Sequence, residues 1–363
     1  ASPPPPAGSP PEASSPRTTL VSRVALLSWL HVHNFWGASP AQRLFDVLRA
    51  PGANSVTHAD IRPVLAGILV SHPGLEFLQD SPEFQDRYAE TVIYRIFYAL
   101  DRAGAGALGL RELARGDVLE ALAEVETCED INRVTRYFSY EHFYVIYCKF
   151  WDLDGDHDFA LTRDDLLRYG NHALTFRIVD RVFGQCARRF ASGSTSHMGY
   201  QDFVWFILSE EDKTTDTALE YWFRAVDLDG DGVLSGSELL YFYEEQLHRM
   251  ECLSQESVAF TDVMSQMHDM LNPDDSKLIT LRDLRRNRAL AGNLFNILFN
   301  LNKFIAFETR DPFIVRQERE EGDLGDWDRF ARSEYARLAV EEDGDAEAMD
   351  SGGGWGGGID ADL

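Results

Sequence analysis

Asp227-Leu228-Asp229-Gly230-Asp231-Gly232-Val233-Leu234-Ser235-Gly236-Ser237-Glu238 decides the reading of this chain. Carboxylates stand at positions 1, 3 and 5 of a twelve-residue loop, glycine at 6, an aliphatic residue at 8 and a glutamate long enough for bidentate capture at 12. Asp227, Asp229, Asp231 and Glu238 bring four negative charges into one tight turn. Their mutual repulsion opposes the compact loop unless a hard divalent cation offsets it, and oxygen-only donors of this kind select calcium. Phe223 and Val226 before the loop, and Leu239 and Phe242 after it, fall at helical spacing. The loop is therefore expected between two helices.

A second acidic loop requires a choice of register. Starting at Asp152 puts Phe159 at position 8 but leaves Arg163, a cation, at position 12. Starting at Asp154 puts Asp154, Asp156 and Asp158 at positions 1, 3 and 5, the Ala160 carbonyl at 7, Leu161 at 8 and Asp165 at 12. The second register also aligns Phe150 and Leu153 on the incoming helix, and it is the one adopted. Phe159 then occupies position 6, where positive φ costs a non-glycine residue about 1 kcal/mol or more. Asp165 is one methylene shorter than the glutamate of the other loop. Both departures predict a weaker or less calcium-selective first site. Thr162 and Ser235, at position 9 of their loops, can each hold a bridging water.

Weak copies of the pattern recur. Asp101 to Glu112 keeps positions 1, 6, 8 and 12 but has alanine at 3 and 5; Ala191 to Asp202 keeps little beyond Met198 at 8 and the acid at 12. Asn272 to Asp283 retains several oxygens, yet Lys277 fills the glycine position. These are expected to be structural hands first. Two such units share a short two-stranded contact at position 8, because a lone unit leaves that edge and its apolar helices exposed. The expected pairs are Leu161 with Met198 and Leu234 with Ile279. Upstream of Asp101, Val56 and Asp60 resemble positions 8 and 12 of one more unit.

The chain has 363 residues, of which 44% are hydrophobic, enough for more than one core. No apolar run reaches the length of a membrane-spanning helix; Thr91 to Leu100, for example, is short and carries Arg95. A net charge of −26 argues against a general nucleic-acid binder. Cys128, Cys148, Cys186 and Cys252 lack metal-ligand spacing and are expected as buried thiols in a reducing compartment. Hydrolase signatures are missing: His31 and His33 form a close pair without a nearby acid, and neither H-E-x-x-H, a Cys-x5-Arg loop nor a P-loop occurs. The proline-rich start from Ala1 to Pro16, without an initiating methionine, reads as a linker in a longer protein and not as a signal peptide. From Glu341 onward the acidic, glycine-rich tail reads as disordered.

Phe150 to Asp158, Arg168-Tyr-Gly-Asn-His-Ala-Leu174, Met198 to Val204, Leu219 to Gly232, Leu239 to Gln246 and Asp311-Pro-Phe313 together resemble the B-double-prime regulatory subunits of protein phosphatase 2A, over roughly residues 20 to 335. The calcium loops alone would indicate only an EF-hand protein; the tyrosine- and tryptophan-rich helices between them make the resemblance specific. It implies a mainly α fold of elongated tandem EF-hand-like helix-loop-helix modules with short paired loop strands. It also implies two Ca2+ sites, at Asp154, Asp156, Asp158, Ala160 and Asp165, and at Asp227, Asp229, Asp231, Val233 and Glu238. The implied role is that of a noncatalytic subunit binding a scaffold of helical repeats and a phosphatase catalytic subunit. It would direct serine/threonine dephosphorylation toward phosphoproteins including cell-cycle regulators, in nucleus and cytoplasm. On this reading residues 1–18 are a disordered linker, 19–140 an N-terminal helical module with degenerate loops, 141–310 a tandem EF-hand module and 311–363 a C-terminal helix and acidic tail. The competing functions are a generic calcium sensor or buffer and, from another class, a hydrolase.

Calcium is expected mainly to order the helix pair that presents a partner surface, so that assembly depends on calcium through linkage. Met264, Met267 and Met270 could line a groove opened by calcium, but at their spacing they are expected in the core. The aromatic stretches Glu141 to Trp151, Tyr241 to Gln246 and Trp29 to Trp36 are candidate partner contacts, with core filling as the alternative.

Overall fold

The computed structural model describes residues 21–275, 278–309 and 324–352. The expected linker at 1–18, Asp311-Pro-Phe313 and the glycine run after Gly352 lie outside them. Helices dominate, joined by three two-stranded antiparallel sheets among the described residues. Strand Val56–Thr57 pairs with Ala107–Leu108, Ala160–Leu161 with Met198–Gly199, and Val233–Ser235 with Leu278–Thr280. The registers place Val56 opposite Leu108, Leu161 opposite Met198 and Leu234 opposite Ile279. All six position-8 residues are buried. The expected pairs are present, and the N-terminal segment is a third pair on the same plan.

Each hand is framed by local chemistry. At the end of three loops, Thr162, Ser235 and Thr280 cap the exiting helices Arg163–Leu167, Gly236–Cys252 and Leu281–Arg286, in each case with the position-12 acid completing a capping box. The incoming helices Tyr140–Leu153 and Asp216–Val226 start at Ser139 and Thr215, whose hydroxyls accept from His142 N and Ala218 N. Helix Pro82–Leu100 lies between helices His58–Ser71 and Tyr200–Glu211. Its Thr91 hydroxyl meets the Tyr200 hydroxyl at 2.7 Å, and Thr217 donates to the Tyr98 carbonyl at 2.9 Å. A contiguous apolar core runs from Phe45 to Ala331, so the N-terminal module and the calcium hands share one interior.

Met267 is fully buried, with Met264 and Met270 packed beside it, which supports the core reading of that cluster. Phe143, Ile146 and Phe150 are likewise buried, whereas Trp151 and Tyr241 are partly exposed. The cysteine expectation needs correction: Cys186 and Cys252 are exposed and Cys128 and Cys148 only partly buried. Cys186 lies in a loop and Cys252 at the end of helix Gly236–Cys252, where neither faces the core. The tail reading is also corrected in part. The final helix, Asp326–Gly352, continues through the acidic stretch after Glu341, where alanine and glutamate favour helix over coil.

That helix packs along Tyr140–Leu153 and is pinned at its start by His142. His142 Nδ1 accepts from Arg95 at 2.9 Å and from Trp327 Nε1 at 3.2 Å. Burial, reinforced by the Arg95 charge, pushes the imidazole pKa down to about 2, while Asp328 stands 3.7 Å from Nε2. The folded chain thus resists a proton that the unfolded chain accepts near its ordinary pKa of about 6.5. This contribution to stability is complete above about pH 6.5 and is lost as pH falls toward the folded value. The difference in unfolding free energy between the wild type and His142→Asn, whose amide oxygen can accept the same bonds, should change by about 1.4 kcal/mol per pH unit between roughly pH 6 and 4. Parallel denaturation profiles for the two chains would refute the assignment.

Candidate calcium centres

In the first loop, Asp154, Asp156 and Asp158 gather ligand-capable oxygens within 4.8 Å of one another; in the second, Asp227, Asp229 and Asp231 do the same. The chosen register of the first loop is therefore the one the fold adopts. Three hard oxygen donors converge in each, a donor set suited to calcium. Asp154 is buried and its carboxyl is raised above the usual range, first by burial and further by Asp156 and Asp158 beside it, while the Phe159 and Asp158 amides act against the rise. A divalent cation would relieve that repulsion.

The two loops are held alike. Asp227 accepts from Gly230 N at 2.7 Å and Gly232 N at 3.0 Å; Asp154 accepts from Asp158 N at 3.3 Å and Phe159 N at 2.9 Å. The position-7 amides of Val233 and Ala160 donate to Asp231 and Asp158 oxygens at 2.9 and 2.8 Å, and the chain then enters the strands. Positions 4 and 6 take positive φ in both loops. Gly230 and Gly232 do so freely at 74° and 86°, whereas the first loop uses His157 at 59° and Phe159 at 61°. Left-handed backbone at non-glycine residues costs roughly 1–3 kcal/mol each.

Ring contacts offset that cost. His157 stacks on Trp151 with centroids 3.9 Å apart, and Phe159 stacks on Phe150 while the Arg87 guanidinium lies 4.2 Å above its ring. Arg87 belongs to helix Pro82–Leu100, so the first loop is docked on the N-terminal module. Position 6 of a lone loop carries no signal for this contact, because its partner lies far upstream in the chain.

The position-12 acids stand outside the aspartate clusters and differ between loops. Glu238 reaches back across the second loop, its Oε1 accepting from Leu228 N at 2.7 Å and Oε2 from Ser235 N at 2.8 Å. Burial tends to raise its pKa, but the Ser235 and Leu228 amides outweigh this and hold it below the ordinary value. Asp165 stays nearer home: its Oδ2 accepts from Thr162 N at 2.8 Å and Thr162 Oγ1 at 2.6 Å, and its Oδ1 accepts from Arg168 Nη2 at 2.7 Å. Thr162 and Ser235 also serve as caps, since both hydroxyls bond the position-12 carboxylate directly.

Among the described residues, the degenerate hands bring no three carboxylates together. Asp101 turns both oxygens onto the Ala105 and Gly106 amides at 2.9 and 2.7 Å. Asp202 accepts from Arg188 at 2.8 Å and Ala191 N at 2.7 Å, and Arg286 grips Asp274 with bonds of 3.1 and 3.0 Å. Arginine thus supplies the positive charge in two hands. Arg188 and Arg286 were missed from the sequence; the signal for Arg286 is its place three residues after position 12.

Comparison with known proteins agrees with this geometry. Residues 39–128 match an EF-hand domain model and residues 143–244 an EF-hand domain pair, the latter spanning both aspartate clusters. These matches are consistent with two calcium sites. The chain is 54% identical over 338 residues to the probable B''epsilon regulatory subunit of serine/threonine protein phosphatase 2A from Arabidopsis thaliana, covering 93% of this chain and 64% of that protein. It is 47% identical over 310 residues to the human B''-type alpha regulatory subunit of the same phosphatase, covering 85% of this chain and 27% of that protein. It thus spans less than two thirds of these relatives. A chain of a solved PP2A PR70 holoenzyme structure, in a di-Ca form, superposes with a TM-score of 0.68 and 46% identity over 74% of this chain and 98% of that one. With paired hands, two aspartate-rich loops and this identity over nearly the whole of a solved relative, the chain belongs to the B'' family of protein phosphatase 2A regulatory subunits.

Proposed function

We propose that this chain is a noncatalytic, calcium-responsive targeting subunit of a serine/threonine protein phosphatase 2A holoenzyme, binding its scaffold and catalytic subunits and selecting phosphoprotein substrates. The observation that carries the reading is the match to nearly all of one chain of the solved PP2A PR70 holoenzyme. Two calcium ions would be held by Asp154, Asp156, Asp158, the Ala160 carbonyl and Asp165, and by Asp227, Asp229, Asp231, the Val233 carbonyl and Glu238. The ions would supply charge neutralisation; the protein surface does the recognising. Because loop one is docked on helix Pro82–Leu100 through Phe159 and Arg87, ordering that loop also orders the N-terminal module.

A partner surface is available there. Helix Arg23–Val32 has no buried residue, and Val24, Leu27, Val32 and Trp36 stand largely in solvent. Exposed apolar residues grouped in this way mark contact sites. Selection of cell-cycle regulators, and residence in nucleus and cytoplasm, belong to the same reading and rest on the family resemblance.

The test is capture of purified scaffold and catalytic subunits by the full chain, with calcium and with chelator. Calcium should strengthen capture at least about tenfold, and the isolated chain should release no phosphate from phosphopeptides. Leu27→Asp with Val24→Asp should weaken capture while leaving calcium binding intact. Failure to capture either subunit at any calcium concentration would overturn the reading in favour of a free calcium sensor.

A further inference from the structure

The hands at 154–165 and 272–283 share a feature that the hand at 227–238 lacks. Both end in aspartate at position 12 followed three residues later by arginine: Asp165-Leu166-Leu167-Arg168 and Asp283-Leu284-Arg285-Arg286. Three residues after Glu238 stands Tyr241. On a helix this spacing puts the two side chains on one face.

In the hand at 272–283 the arginine stands among the loop acids. Arg286 makes a two-pronged bond to Asp274, at position 3, and its Nη2 comes within 3.5 Å of Asp283 Oδ1. In the first hand Arg168 Nη2 donates to Asp165 Oδ1 at 2.7 Å and also to the Leu153 carbonyl at the end of the incoming helix. The guanidinium lies against Gly155, at position 2, where a Cβ would stand 3.7 Å from Nη2. With Oδ2 already bonded to Thr162, both Asp165 oxygens are engaged. A divalent cation drawn to Asp165 therefore meets a tethered cation on the same carboxylate, and the two repel. Glu238 faces no such competitor: its oxygens accept from Leu228 and Ser235.

We propose that Arg168 is an intramolecular competitor of calcium at the first loop, holding Asp165 and setting the affinity of that site below that of the second. This rests on the assignment of calcium to the loop. It makes the first hand an intermediate between the free carboxylate of the second and the arginine-closed hand at 272–283.

Isothermal calorimetry of the full chain tests it, with the second loop silenced by Glu238→Gln so that the first loop supplies the heat. Adding Arg168→Gln should tighten calcium binding about three- to tenfold, and Arg168→Leu, which removes the charge with an apolar side chain, should do the same if the glutamine variant folds poorly. Arg168→Lys keeps the charge and should tighten binding less. Unchanged or weaker affinity in folded Gln and Leu variants overturns the competitor role while leaving the site in place. No first-loop heat in any of these chains overturns the ligand assignment, and the proposal with it.

Discussion

Calorimetry of Glu238→Gln will count one bound calcium ion where the wild-type chain binds two, one for each aspartate cluster. The substitution keeps the length and shape of the side chain and removes one negative charge from the position that reaches furthest across its loop. A charged ligand lost from a hard-ion site should weaken the second loop at least about 100-fold, roughly 2.7 kcal/mol. Asp227→Ala should have the same effect on stoichiometry with an added loss of stability, because Asp227 also holds the Gly230 and Gly232 amides. The remaining ion belongs to the first loop, which should empty at higher free calcium than the wild-type second loop. Two bound ions in both variants would refute the ligand assignment.

Lys213→Ala will lower the unfolding free energy by about 3–5 kcal/mol, because it strips a partner from a fully buried carboxylate. Glu210 Oε1 lies 2.5 Å from Lys213 Nζ, 3.2 Å from Lys303 Nζ and 2.7 Å from Asn300 Nδ2, joining helix Tyr200–Glu211 to helix Leu301–Glu308. Glu210 is fully buried and Lys213 nearly so. Burial opposes the Glu210 charge, but the two ammonium groups outweigh it and hold the carboxyl below the usual range; Lys303 is raised by Glu210 and Glu211 in turn. Lys213 itself is pushed down to about 7 by burial. Neither Glu210 nor Lys213 belongs to a calcium loop, so calcium stoichiometry should survive in the folded variant. Chemical denaturation showing a loss under about 1 kcal/mol would show that Lys303 and Asn300 alone satisfy Glu210.

Much of the calcium geometry was legible because it is local. A twelve-residue loop carries its own ligands, capping box and strand residue, so Asp154 or Asp227 could be placed without knowing the rest of the chain. The register of the first loop followed from one steric and one chemical fact: arginine cannot serve at position 12, and the incoming helix needs Phe150 and Leu153 on its apolar face. The pairing of hands was legible for a similar reason. Position 8 must be apolar and must find another position 8, which Leu161 with Met198 and Leu234 with Ile279 satisfy.

What holds a degenerate hand closed was less legible. Arg188 comes from before its loop and Arg286 from after it, and only folded geometry shows which carboxylate each one meets. The exposed cysteines were misread because helical context does not say which face of a helix is covered.

The chain by itself determined the hands, their two candidate calcium loops, their pairing and the departures at Phe159 and Asp165, since each rests on residues within one loop or on one repeated position. Tertiary structure alone decided what those departures mean. Phe159 keeps its left-handed backbone because Arg87 and Phe150 receive its ring, and Asp165 is engaged by Arg168 as that arginine also reaches the end of the incoming helix. Backbone strain and charge competition are differences between conformations, and their balance depends on neighbours that only the folded chain brings together.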